Sequence, residues 1–265
     1  MGFVEEVRRH RHPDFRQVPL CFASSLVSTN DRALDLAEEG TPEGTAVFAD
    51  TQTQGRGRLG RVWFSPPGRG LYGSIVVRPT LSSDVSQLTL LAGVSVATAV
   101  EALCGVAPRL KWPNDIQIEG KKVGGILTES RAGEGQLDYT VVGVGLNVTG
   151  KREDFPPELR SEAGSIFETT AKMVERAPLA ARLLDEFEIF CRRWRRESFA
   201  PIREAWRKKS STLGRRVRTT DRGRQVEGTA LDLAEDGALL IETTAGRLSL
   251  RTGEIVELEA LPSSL

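Results

Sequence analysis

The chain has 265 residues, 36 basic against 36 acidic side chains, and 39% hydrophobic content. This is enough apolar material for one large domain, or a large and a small one, and the balanced charge excludes a global field for non-specific nucleic-acid or membrane binding. Cys21, Cys104 and Cys191 are far apart with no paired spacing, which excludes a disulfide framework or zinc site and fits a reducing compartment.

Residues 1 to about 18 read as charged and irregular. They begin with Glu5, Glu6, Arg8 and Arg9 instead of a basic start and an apolar run, so no secretory signal is expected and a cytoplasmic location is. Leu20-Cys21-Phe22 opens the first strand. Ser28-Thr29-Asn30-Asp31 then suits the N-terminal cap of a helix that carries Ala33, Leu34, Leu36 and Ala37 and stops at Gly40. A helix N-terminus also presents polar groups to a ligand above it.

A strand over Thr45 to Ala49 leads into Gln54-Gly55-Arg56-Gly57-Arg58-Leu59-Gly60-Arg61, three arginines among three glycines. Glycine lets backbone N–H groups approach a ligand, and each guanidinium offers a planar fork to carboxylate or phosphate, so the loop is suited to anions. Its spacing matches G-x-G-x-x-G, but it neither follows an apolar strand nor opens a helix, which argues against a dinucleotide fold.

Leu71 to Arg78 is a strand ended by Pro79, and residues 86 to 103 form a long helix. The stretch Leu88 to Ala107 nearly reaches membrane-spanning length, but Thr89, Ser95, Thr98 and Glu101 favour a buried helix. Arg109 to Trp112, Ile116 to Ile118, Gly125 to Glu129 and Tyr139 to Asn147 are successive strands with glycine-rich turns. The expected fold is α+β, a mixed and largely antiparallel sheet with helices on one face.

Leu183, Leu184, Phe187, Phe190, Cys191 and Trp194 recur at three- and four-residue steps, the apolar face of a helix. The interleaved Arg192, Arg193, Arg195 and Arg196, with Arg207, Lys208, Lys209, Arg215 and Arg216 beyond, are a solvated helix face or a nucleic-acid surface; no reader motif accompanies them. Around Ser210 to Leu213 the pattern turns alternating, with Val217, Val226, Leu239, Ile241, Leu248 and Leu250 on short strands. The expected division is an N-terminal extension (1–20), a catalytic domain (21–211) and a small β-barrel (212–265).

Four segments in order carry a resemblance. They are Ser28-Thr29-Asn30, the glycine-arginine loop, Lys111-Trp112-Pro113-Asn114-Asp115 followed by Lys121 to Glu129, and Val141-Val142-Gly143-Val144-Gly145-Leu146-Asn147-Val148. Together they resemble the biotin protein ligases over roughly residues 21 to 260, in a form without an N-terminal DNA-binding domain. Gly228 to Ile241 looks like that family's SH3-like C-terminal domain.

The resemblance implies an enzyme that joins biotin to ATP as biotinyl-AMP and transfers biotin to a lysine of a carboxylase carrier domain. It implies Arg58, Lys122 and Asp115 as catalytic residues. Ser28, Thr29, Asn30, Gln54, Gly55, Arg56, Gly57, Gly124, Gly143 and Gly145 fall on the biotin side, with Arg58 and Lys122 shared. Arg56, Arg58, Arg61, Trp63, Asn114, Asp115, Lys122 and Asn147 fall on the ATP side. Core packing is an alternative for Trp63, and turn chemistry after Pro113 for Asp115. Leu59 stands where relatives often have arginine.

A magnesium ion is expected as countercharge for the polyphosphate, its protein ligands unassigned. The expected partners are a biotin carboxyl carrier protein, biotin and ATP, with no DNA and no membrane, for a monomer or homodimer. A lipoate or octanoate ligase is the nearest alternative, and a non-catalytic binding module built on residues 192 to 216 is another.

Overall fold

Between residues 20 and 147, seven stretches rich in β-branched and small side chains pair into one sheet. In the computed structural model of the chain, residues 2–79, 84–133, 136–221 and 223–258 are described. The first part comprises α1 (Phe3–His10), β1 (Leu20–Leu26), α2 (Thr29–Glu38), β2 (Ala46–Gln52), β3 (Gly70–Val77), α3 (Asp84–Cys104), β4 (Arg109–Lys111), β5 (Asp115–Ile118), β6 (Lys121–Gly133) and β7 (Gln136–Asn147). After α4 (Ile166–Thr170), α5 (Arg176–Glu197) and α6 (Ala200–Lys209) comes a second group: β8 (Arg216–Asp221), β9 (Arg224–Leu233), β10 (Leu239–Thr243), β11 (Gly246–Leu250) and β12 (Ile255–Glu257).

The first sheet runs β1-β2-β3-β7-β6-β5-β4, with only β1 and β2 parallel, so the mixed, largely antiparallel α+β reading holds. Strand alternation divides its faces. Ala46, Phe48, Ile75, Val77, Ile126, Val142, Val144 and Leu146 point into the main core, which α1, α3, α5 and α6 share. Val47, Val76, Val141 and Tyr139 point the other way, against Ala33 and Ala37 of α2. One helix therefore covers part of the second face, and the rest of that face is left for a cavity.

The apolar stretch of α3 is long enough to cross a membrane, yet two thirds of it is buried inside the fold, as a core helix requires. The irregular reading of the first 18 residues is corrected by α1, whose Val7 is fully buried and whose Phe3 ring packs against Phe22 and Phe48. An eight-residue helix is marginal by itself, and this one is held by tertiary contacts that local composition does not display. Just after it, Arg11 is buried and donates from Nε to Asp185 on α5 at 2.9 Å.

The second sheet is antiparallel in the order β11-β10-β9-β8-β12, consistent with the SH3-like unit. It is anchored to the first by Trp112, which is almost fully buried. The Trp112 backbone N–H donates to Thr212 Oγ1 at 3.0 Å, and the indole N–H to the Gly237 carbonyl at 3.3 Å. Trp112 thus acts as a bolt between sheets, beside a loop that faces the cavity.

Candidate active site

The cavity lies on the α2 face of the first sheet and has a volume of about 550 Å³. Its floor is β6 and β7, one end is the N-terminus of α2, and its far side includes Glu254 to Glu257 of the second sheet.

At the α2 end the hydroxyl of Ser28 caps the helix by accepting the Asn30 N–H at 3.2 Å. The Thr29 backbone N–H donates to Gln52 Oε1 at 2.8 Å. Asn30 donates from Nδ2 to the Leu127 carbonyl and to Glu129, at 3.2 and 2.6 Å, and accepts from Ser74 at 2.6 Å. Ser28, Thr29 and Asn30 are each buried, with cavity-lining atoms.

Gly143 is required here because a Cβ on it would stand 2.2 Å from Asn30 Oδ1. Gly145 and Gly125 make room in the same way for the Trp63 indole: a Cβ on Gly145 would lie 2.5 Å from its Nε1 and one on Gly125 3.3 Å from its Cζ3. The glycine floor is therefore covered by the protein's own side chains. Trp63 lines the cavity, and its Nε1–H is buried without a partner among the described residues, a donor in want of an acceptor.

The glycine-arginine loop folds back as a hairpin. Gly57 N–H donates to the Arg61 carbonyl at 2.7 Å and Trp63 N–H to the Gly55 carbonyl at 2.8 Å, while exposed Leu59 takes a left-handed φ of 57° at the tip. Gly55 packs inward, a Cβ there meeting the Trp63 carbonyl at 2.5 Å, and does not line the cavity.

The three arginines have different partners. Arg56 forks onto Asp31 at 2.8 and 2.5 Å and reaches Glu129 at 3.2 Å. Hydrogen bonding to Arg56 holds the Asp31 carboxyl below its usual range, and the same bond raises the Arg56 pKa. Arg58 donates to Asn114 Oδ1 at 3.2 Å and to the Gly253 carbonyl at 3.1 Å. Burial pushes its pKa down, partly opposed by Asp115 and Glu254, and both of these hydrogen bonds go to uncharged oxygens. Arg61 pairs with Glu254 at 2.5 Å.

Lys122 pairs with Asp115 at 2.6 Å, its ammonium 5.8 Å from the centre of the Trp63 ring. Asn114 Nδ2 donates to the Ile126 carbonyl at 2.9 Å, and Asn147 Nδ2 to the Gly164 carbonyl at 3.0 Å. Arg56, Arg58, Arg61 and Lys122 all line one cavity with Trp63, Asn114, Asp115 and Asn147. Such a site can neutralise clustered anionic oxygens while a neutral polar group sits against α2.

Three expected residues are placed elsewhere, Gly55 as described and two more. Gln54 is exposed and off the cavity; β2 ends at Gln52, and Gln52 is the glutamine that turns inward. Gly124 faces the main core, where a Cβ would meet Leu146 at 2.4 Å, and its neighbour Gly125 faces the cavity, because adjacent strand residues alternate. Sequence reasoning also missed Ser74 and Glu129. Cross-strand register is the signal that finds them: Ser74 pairs with Gly143, and Glu129 with Val141, on the α2 face.

Residues 22–147 match the Biotin/lipoate A/B protein ligase family, and residues 212–256 the Biotin protein ligase C terminal domain. The bifunctional ligase/repressor BirA of Bacillus subtilis is 38% identical over 237 residues, which are 89% of this chain and 73% of that protein. The biotin acetyl-CoA-carboxylase ligase of Mycobacterium tuberculosis is 34% identical over 241 residues, 87% of this chain and 86% of that one. Among solved structures, a biotin protein ligase from Aquifex aeolicus in complex with biotin and ATP superposes with a TM-score of 0.78 at 32% identity, covering 91% of this chain and 99% of that one.

Proposed function

We infer a two-step reaction for this chain, which belongs to the family of biotin protein ligases and is an enzyme of the biotin acetyl-CoA-carboxylase ligase class. In the first step a biotin carboxylate oxygen attacks the α-phosphorus of ATP and pyrophosphate leaves. In the second, a lysine amine of a carboxylase carrier domain attacks the carbonyl carbon of biotinyl-AMP, AMP leaves with the bonding pair, and the amine nitrogen gives up a proton to solvent.

The observation that carries this reading is Arg58, hydrogen-bonded among the described residues to uncharged oxygens, beside the Lys122–Asp115 pair in one cavity. Carboxylate and triphosphate repel each other, so joining them requires fixed cations where the charge crowds together. Lys122 would leave Asp115 for the carboxylate and α-phosphate, and Asp115 would then be free to orient the incoming lysine amine. Thr29, Asn30 and Gln52 at the α2 end suit the ureido ring, and Trp63, Asn114 and Asn147 the nucleotide.

The residues do not form a cage for magnesium. Among the described residues no three histidine, cysteine or acidic side chains gather. The ion would arrive on the triphosphate with most of its waters, and no step above is routed through it.

We further place the reaction in the cytoplasm and assign no repressor role. In support, the basic residues of α5 and α6 are largely engaged: Arg192 with Glu188, Arg195 with Glu43, Arg207 with Asp232, Lys208 with Glu204 and Lys209 with Glu101. A face paired in this way is a weak phosphate binder.

Biotin-dependent exchange of labelled pyrophosphate into ATP tests the first step. Exchange with biotin and not with lipoate is expected, falling about 100- to 1,000-fold in R58A and in K122A. Exchange with lipoate alone would assign the other acid of the family, and exchange with neither would overturn the reaction. Hydrogen exchange of residues 54–64 tests whether the loop shields the intermediate from water; added protection with biotin is expected, and none would remove the lid.

A further inference from the structure

Ser74 lies in the middle of β3, fully buried, with its hydroxyl 2.6 Å from Asn30 Oδ1 and 2.8 Å from Thr29 Oγ1. It has one proton to give. Asn30 presents its NH2 to the Leu127 carbonyl and the Glu129 carboxylate, so its oxygen faces Ser74 and can only accept. The Ser74 proton is shared between Asn30 Oδ1 and Thr29 Oγ1, both of which accept from Ser74.

Thr29 is constrained in turn. Its hydroxyl is 2.8 Å from Ser74 and 3.0 Å from Gln52 Oε1. Gln52 has its oxygen turned toward the Thr29 backbone N–H, while its Nε2 donates to Ser65. Thr29 thus gives its own proton to Gln52 and accepts from Ser74, which leaves it a second lone pair for a donor in the cavity it lines.

We propose that Ser74 is a positioning residue for substrate recognition: by donating to the Thr29 oxygen it keeps the Thr29 proton on Gln52 and makes Thr29 an acceptor that selects an N–H of the substrate. Resting on the biotin ligase reading, this makes a ureido N–H the matching group and a lone ether or carbonyl oxygen the excluded one. Asn30 is in turn braced through Glu129 by Arg56 of the glycine-arginine loop, so the loop and the ring end of the site share one chain of hydrogen bonds.

The test is a double-mutant cycle read by pyrophosphate exchange, with S74A, T29V and the pair. S74A is expected to raise the KM for biotin about tenfold, with kcat and the KM for ATP within about twofold of the parent. In the T29V background, S74A should add less than about twofold, because it acts through Thr29. S74C, which keeps a side chain of similar shape but donates weakly, should behave like S74A and supplies the measurement if S74A does not fold.

Independent, multiplying effects of S74A and T29V would overturn the proposal. So would a parallel fall in kcat and rise in both KM values with a lowered Tm, the pattern of a packing residue. Absence of biotin exchange in the unsubstituted chain would overturn the ligase reading and this proposal together, whereas exchange indifferent to Ser74 overturns this proposal alone.

Discussion

Removing or adding single atoms at the site has defined consequences. G143A would drive a methyl into the Asn30 amide, displacing the group that orients Ser74 and Thr29. We expect a loss of about 1 to 3 kcal/mol in stability and a raised KM for biotin, checked by thermal unfolding and exchange kinetics. Asp31 has its pKa lowered by Arg56, so its contribution to stability is fully present above the unfolded value of about 3.9 and is lost as pH falls through the folded value. D31N should therefore be less stable than the parent near neutrality, and the gap should close in acid. An equal gap at pH 7 and pH 3 would sink this account of the pair.

At this scale the sequence was partly legible. The cationic residues were visible through the resemblance of their segments to the biotin protein ligases, since a lone arginine-glycine run reads first as a solvated loop, and Arg58, Arg61 and Lys122 do line one cavity. The adjacent assignments of Gln54 and Gly124 slipped by one strand period or one residue, since parity depends on where a strand ends, and β2 stops at Gln52. Arg56 reads as a ligand cation from the sequence, but its carboxylate partners Asp31 and Glu129 come from other elements and are invisible to local pattern.

Among the elements, periodicity located β1 to β7, the buried α3 and the amphipathic α5. It failed for α1, which is held by Phe3 against Phe22 and Phe48 and by contacts of the segment just after it with α5: Arg11 with Asp185, and Arg192 stacked 4.7 Å over Phe15. Arg11 is nearly inaccessible, and its Nη1 has no partner, so Asp185 is its principal countercharge. D185A would leave a buried cation uncompensated and should destabilise the protein by about 3 to 5 kcal/mol, with α1 exchanging its amides first. A change under about 1 kcal/mol would show that α1 docks by its apolar face alone.

For the whole molecule, the second sheet was foreseeable as a separate β unit, but nothing in its own pattern told that it would wall the cavity. That wall exists because Trp112 and Thr212 fix the two sheets and bring the β11–β12 turn over the glycine-arginine loop. Glu254 there occupies Arg61, one of the cations that the resemblance puts on the ATP side, and adds a negative charge beside it. E254Q should lower the KM for ATP by about threefold and leave the KM for biotin unchanged, measured by exchange at low salt. A raised KM for ATP would instead make Glu254 a support for the nucleotide.

The shared wall also ties two equilibria together. If the triphosphate contacts groups from both sheets, its binding free energy includes the free energy of docking one sheet on the other, and by reciprocity the nucleotide must tighten that docking by the same factor. A substitution deep in the second sheet, such as L239A at a fully buried position off the cavity lining, should then surface as weakened ATP affinity before it surfaces as lost fold. The small domain would serve the reaction as a thermodynamic lever, its stability set against the occupancy of a site whose reacting groups it does not supply.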